Sequence, residues 1–281
     1  MFFILRCLGV YLLLFGFPSL FAEPSGLPLF AAELERHESL YDKKLAELPE
    51  IKYSVSPQDL IDFLTTLIKI DPYRSEGYVE RAKIYNAIHQ YDRELEDLTI
   101  ALTLEPENLD ILKSRIETSS DLYYVARKNV KHLGGYPKHR AEVYGQAIIL
   151  DRNRLSELTP EDADNVYERG TIKVLMGDVN GGIQDFNLSI EMFPVPAAYM
   201  SRSEAKEQLG DLQGALSDYV TLLAESPEDL YYYLQVQRIN VLLGDLKSAC
   251  QIYNQAIKRF GKYVQGYPNL ILVDPYDCKA V

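Results

Sequence analysis

The chain has 281 residues, with 29 Lys and Arg against 41 Asp and Glu and a formal net charge of −12. That balance excludes a phosphate-backbone partner, because nucleic-acid binders gather Lys and Arg on one face to displace counterions; it favours a soluble, self-repelling surface. Three cysteines with no C-x-x-C spacing support neither a redox motif nor a thiolate zinc site.

Residues 1–22 read as a signal peptide. Arg6 closes a short basic region, Cys7 to Phe17 is apolar, and Pro18-Ser19-Leu20-Phe21-Ala22 breaks the helix before a small residue where a peptidase can cut. A membrane anchor needs about 20 apolar residues, and Arg6 and Pro18 interrupt this run. The expected mature chain starts at Glu23, carries 41 acidic and 28 basic residues, and has no transmembrane span. Its expected location is the periplasm or the medium.

Residues 23–74 read as an N-terminal helical cap. Ser56-Pro57-Gln58 starts a helix, Leu60, Leu64 and Leu67 follow at helical spacing, and Pro72 ends it. Pro49 bounds the segment before it, which reads as degenerate.

From Ser75 a 34-residue self-similarity sets in. Ser75 to Asn108 places Tyr78, Ala82, Tyr85, Tyr91, Leu98, Ala101 and Pro106 in order, with Glu94 where a small residue is usual. A second copy, 163–195, repeats the slots with Arg169-Gly170, Gly177-Asp178, Gly182, Phe186, Ser189 and Pro194. The third, 196–229, has Tyr199, Arg202-Ser203, Gly210-Asp211, Ala215, Tyr219 and Pro227; the fourth, 230–263, has Tyr233, Gly244-Asp245, Ala249, Tyr253 and Ala256. Small residues let the two helices of a pair approach, each glycine ends a first helix, and each proline stops a second one. Residues 109–162 are irregular. Either Asp121 to Arg154 is a copy, with Tyr124, Arg127, Tyr144 and Ala147 in the slots and Arg127 opposite Val143, or Leu109 to Asp162 is one repeat with an insertion.

Charge spacing tests the repeats independently. Arg81 and Asp97, Arg169 and Asp185, and Arg202 and Asp218 are each sixteen apart, and the fourth copy holds Val236 and Ile252 in the same two slots. Joint presence and joint loss are what a buried contact across a helix pair would leave, since breaking such a pair on one side only is costly.

These residues resemble the tetratricopeptide repeat (TPR) family over residues 75–263. The resemblance implies an all-α fold, a right-handed solenoid of antiparallel helix pairs wound into a superhelix. Beyond it, residues 264–281 form a tail in which Gln265-Gly266-Tyr267-Pro268-Asn269 is turn-like and Leu270 to Val273 apolar. The tail should cover the last pair, and Cys278 is expected either to be bridged to Cys250 or to be a free thiol. A bridge would be worth about 3.6 kcal/mol in the chain-entropy view.

Residues for catalysis are sparse. Ser203-Glu204-Ala205-Lys206 has the S-x-x-K spacing of penicillin-binding enzymes, but it falls on repeat slots and lacks its companion motifs. His37, His89, His132 and His139 make no ligand pair on one helical face, and Gly181-Gly182 has no phosphate-loop context. The Asn187-Leu188-Ser189 sequon stands within an expected helix. No enzyme activity, cofactor or metal is expected. Arg127, Lys128, Lys131, His132, Lys138, His139 and Arg140 cluster around Gly134-Gly135-Tyr136-Pro137. They read as a solvated face or as a contact for an acidic partner or anionic headgroups.

In TPR proteins the first helices line a concave groove that holds a partner segment. The resemblance therefore implies facing slots at Glu76, Val79, Lys83 and Asn86; Asp164, Tyr167, Thr171 and Val174; Ala197, Met200, Glu204 and Glu207; and Tyr231, Leu234, Arg238 and Val241. Tyr231, Leu234, Arg238 and Val241 are the leading partner contacts, with Tyr167, Val174 and Met200 behind them. The expected function is an exported scaffold for a protein or peptide segment, for instance in envelope assembly. The alternatives are a ligand-binding accessory of a transporter and, from a third class, an enzyme.

Overall fold

A computed structural model of the protein describes residues 26–128, 138–261 and 278. The described elements are helices: α1 (Gly26–Leu45), α2 (Leu48–Ile51), α3 (Pro57–Ile70), α4 (Ser75–Ala87), α5 (Tyr91–Leu104), α6 (Leu109–Lys128), α7 (Lys138–Leu158), α8 (Ala163–Leu175), α9 (Val179–Met192), α10 (Pro196–Gln208), α11 (Leu212–Glu225), α12 (Leu230–Leu242) and α13 (Leu246–Phe260). No strand occurs among the described residues. The chain divides into two compact units, one ending at Ile111 and the other beginning at Leu112.

In the first unit, α3 opens on a reciprocal capping box between Ser56 and Asp59, which satisfies two backbone donors of the first turn. Its Leu60, Leu64 and Leu67 are buried with Tyr41 of α1 and Leu48 of α2. The segment that reads as degenerate is thus a 20-residue helix and one further turn around Pro49. Tyr41 is fully buried, and its phenol oxygen accepts from the Gly77 amide at 2.9 Å. Burial, aided by the charge of Glu76, pushes that phenol up to about 12. A Cβ at Gly77 would fall 2.9 Å from the Ile68 side chain, so α3 and α4 meet closely there.

One polar contact recurs through the pairs. Arg81 of α4 grips Asp97 of α5 with Nε and Nη2 at 2.8 and 2.7 Å. Arg169 of α8 holds Asp185 of α9 at 2.9 and 2.6 Å, and Arg202 of α10 holds Asp218 of α11 at 3.0 and 2.6 Å. The third nitrogen, Nη1, reaches back to the preceding second helix: to Thr65 Oγ1, Asn153 Oδ1 and Asn187 Oδ1 respectively. Each arginine therefore joins three helices. Asp185 and Asp218 also take Lys173 and Lys206 at 2.8 and 2.9 Å. With the aspartates nearly dry, such charge-assisted pairs fix the register of the stack.

The same contact settles how residues 109–162 are arranged. Arg115 of α6 grips Asp151 of α7 through two hydrogen bonds, at a separation of 36 rather than 16. Arg115 is the seventh residue of its helix, as are Arg81, Arg169 and Arg202. Among the described residues α6 and α7 thus meet through Arg115 and Asp151, the arrangement expected of one repeat with an insertion, and not through Arg127 and Val143. In the latter threading Val143 would be a pair contact; it is half exposed instead. Both helices carry part of the surplus, being described over 20 and 21 residues where the regular pairs have 13 and 14. In the extended part, Leu122, Tyr123, Ala126, Tyr144 and Ile148 are buried. Gly145 leaves room there for Met176 and Tyr123, either of which a Cβ would strike.

Gly177, Gly210 and Gly244 each take a positive φ after a first helix, and the following Asp178, Asp211 and Asp245 cap the next helix by accepting from Gly181, Gly214 and Ser248 amides. In the first copy the equivalent position is His89, at φ 60°, a left-handed conformation that costs a side-chain-bearing residue. Its Nδ1 lies 2.8 Å from the Tyr91 hydroxyl. From α8 to α13 each helix packs against the next, and α8 also touches α10. The last pair differs: Val236 is dry, in a cluster with Tyr219, Leu222 and Ile239, and Ile252 packs against it. Cys278 is disulfide-bonded to Cys250 and lies in a cluster with Tyr233, Ala249, Tyr253 and Ala256.

Two measurements check this account. Asp218→Ala leaves Arg202 and Lys206 facing each other without their shared carboxylate, and denaturant unfolding should show a loss of about 3 kcal/mol. Changing Arg202 to Val and Asp218 to Ile would still strand Lys206; adding Lys206→Asn, the residue the last pair carries as Asn240, should restore most of the stability. At His89 the expectation is opposite, a gain of about 0.5–1 kcal/mol in His89→Gly. An unchanged or lower stability would mean that the Tyr91 contact outweighs the backbone strain.

Candidate partner-binding groove

The first helices α8, α10 and α12 of the second unit are tied to one another directly. The Tyr167 hydroxyl lies 3.3 Å from Ser201 Oγ, linking α8 to α10. Arg238 of α12 gives both terminal nitrogens to Glu207 of α10, at 2.7 and 2.8 Å, and its Nε to Gln235. Behind them Tyr219 of α11 is buried beside Ser203 and Tyr231, and burial raises its phenol well above the usual range.

The expected contacts divide by depth. Tyr231 is 39 % exposed, edge-on to Tyr232, and burial followed by the charge of Glu204 raises its phenol. Leu234, one turn along, is 7 % exposed and belongs to the core. Val241 packs against the cluster that holds Cys278, and Met200 against the cluster around Val236. Val174 leans on the backbone of Gly182, where a Cβ would meet it at 2.3 Å, so it serves the α8–α9 contact. Tyr167 is half-buried with its ring 5.8 Å from that of Phe186. Arg238 is not a free fork for a carboxylate, because Glu207 already fills it. What the face presents is Tyr231, the rim of Tyr167, and Glu204.

Glu204 was legible as a facing slot by its spacing from Met200 and Glu207, but nothing in the sequence distinguishes it from its paired neighbour. Among the described residues no hydrogen bond or ion pair reaches its carboxylate. Burial, and then the negative charge of Glu207, hold its pKa above the ordinary glutamate value.

The other motifs serve the scaffold. Ser203 is buried and donates to the Met200 carbonyl at 2.7 Å, while Lys206 is held by Asp218 and the Gly214 carbonyl, so Ser and Lys of the S-x-x-K string are both engaged. Asn187 of the sequon accepts from Arg202. His37 lies on the Ile70 carbonyl at 3.2 Å. In the basic cluster, Arg127 and Lys128 are exposed on α6 and Arg140 on α7; Lys131, His132 and the side chains of Lys138 and His139 lie outside the described residues. No described helix is long and apolar enough to cross a membrane.

The structure is similar to that of MamA protein, with a TM-score of 0.51 and 14% sequence identity, covering 71% of this chain and 98% of that one. It is similar also to YrrB, a TPR protein with an unusual peptide-binding site, with a TM-score of 0.51 and 15% identity over 78% of this chain and 98% of that one. No known family model matches the sequence. At such identities the likeness speaks to architecture: the chain has the all-α fold of tetratricopeptide-repeat proteins.

The division by depth has a direct check. Leu234→Ala should lower stability by about 2–5 kcal/mol in denaturant unfolding, as a core truncation does. Tyr231→Ala should move it far less. Equal losses would place Tyr231 in the core and remove it from the groove.

Proposed function

We propose that this protein is a non-enzymatic, exported scaffold that holds a protein or peptide segment along the inner face of α8, α10 and α12. The observation that carries the reading is the separation of two faces on the last helix pair. Cys278 is seated with Tyr233, Ala249, Cys250, Tyr253 and Ala256, while Tyr231, two residues before Tyr233 on α12, keeps more than a third of its surface open. A large ring held in place by Tyr219 and flanked by polar groups is the kind of anchor that carries binding energy at low entropic cost. The fold it shares with a peptide-binding protein supports the same reading. The apolar leader and the Cys250–Cys278 bridge support export, since disulfides persist in oxidising compartments.

Two experiments test it. The native protein should begin near Glu23, and its intact mass should fall two hydrogens short of the free-thiol value; an intact Met1 would sink the export reading. Peptides selected on the purified protein should lose about 2 kcal/mol or more of affinity in Tyr231→Ala while the melting temperature hardly moves. Peptide binding indifferent to Tyr231 would end the reading at this face.

A further inference from the structure

Resting on the groove reading, we infer that the segment held against α10 and α12 is basic, and that it places a Lys or Arg side chain on Glu204 with its alkyl stem along the Tyr231 ring. Three observations converge. Arg238, the cation of this face, is neutralised: both terminal nitrogens are spent on Glu207. Glu204, one turn before Glu207 on the same helical face, feels Arg238 only through its field and takes no hydrogen bond or ion pair among the described residues. The exposed Tyr231 ring of the next first helix lies within reach of its charge, which raises the Tyr231 phenol.

Glu204 is exposed, yet partial desolvation and the negative charge of Glu207 outweigh the attraction of Arg238 and leave its ionised form at a net cost, which raises its pKa. An incoming cation removes it, and a Lys or Arg also buries its stem on an aromatic face and gains a cation–π contact. An acidic segment would meet Glu204 and the −12 charge of the chain with no free cation on this face to offset them. A bare metal ion is a poorer fit, since a hard cation needs several oxygen ligands and one unengaged carboxylate supplies too few.

The probe is a random decapeptide display library selected on the purified protein, followed by synthesis of one selected peptide and its analogue with Lys replaced by norleucine. Selected sequences should be enriched in Lys or Arg. Glu204→Gln should weaken the Lys peptide about tenfold and leave the norleucine analogue unchanged, so that the two substitutions are coupled. Peptides that depend on Tyr231 yet show no basic enrichment, or bind Glu204→Gln as tightly as wild type, would overturn this inference and leave the groove reading standing. Failure to select any peptide that depends on Tyr231 would overturn both. The norleucine comparison on the unaltered protein keeps the test decisive if Glu204→Gln misfolds: equal affinity of the two peptides refutes the contact.

Discussion

Four of the helix pairs depend on a buried aspartate in the second helix being met by an arginine from the first. A lone dry carboxylate is too costly to keep, so Asp97, Asp151, Asp185 and Asp218 each dictate where the opposite helix must lie. Two nitrogens of the guanidinium close the pair. In the three pairs where the third nitrogen reaches Thr65, Asn153 or Asn187, the same side chain also fixes the pair against its predecessor. Apolar packing alone would tolerate sliding by a turn; a planar fork with three assigned acceptors does not.

The last pair shows what happens when this clamp is given up. Val236, Asn240 and Ile252 replace the Arg, Lys and Asp together, so the charged pair gives way to apolar contacts beside a buried Asn240 that donates to the Val236 carbonyl. The tie to the preceding pair reappears on the inner face, where Arg238 grips Glu207. One inter-repeat contact thus sits on the inner face instead of in the interior, where it neutralises Glu207 and leaves Glu204 exposed beside it.

Much of this was legible because the repeats carry redundant local signals. The sixteen-residue Arg–Asp spacing in three copies, and the glycine ending the first helix with the aspartate capping the next in the last three, repeat in place. The pair from Leu109 to Asp162 escaped the spacing test because its insertion stretches sixteen to thirty-six, although Arg115 keeps its place seven residues into the helix. Depth was harder to read than direction. Helical spacing puts Tyr231, Leu234, Arg238 and Val241 on one side of α12, but the neighbouring helices decide that Leu234 is dry, Arg238 spent and Tyr231 open. The partner of Arg238 in particular lies 31 residues away, on a separation shared with no other pair.

The residues added between Leu109 and Asp162 fall wholly beyond the clamp. Arg115 is the seventh residue of α6 and Asp151 is followed by seven more in α7, the places that Arg81 and Asp97, Arg169 and Asp185, and Arg202 and Asp218 hold in their helices. The end of the pair that carries the clamp is thus built as in a regular repeat, and residues added beyond it leave its register untouched whatever their number.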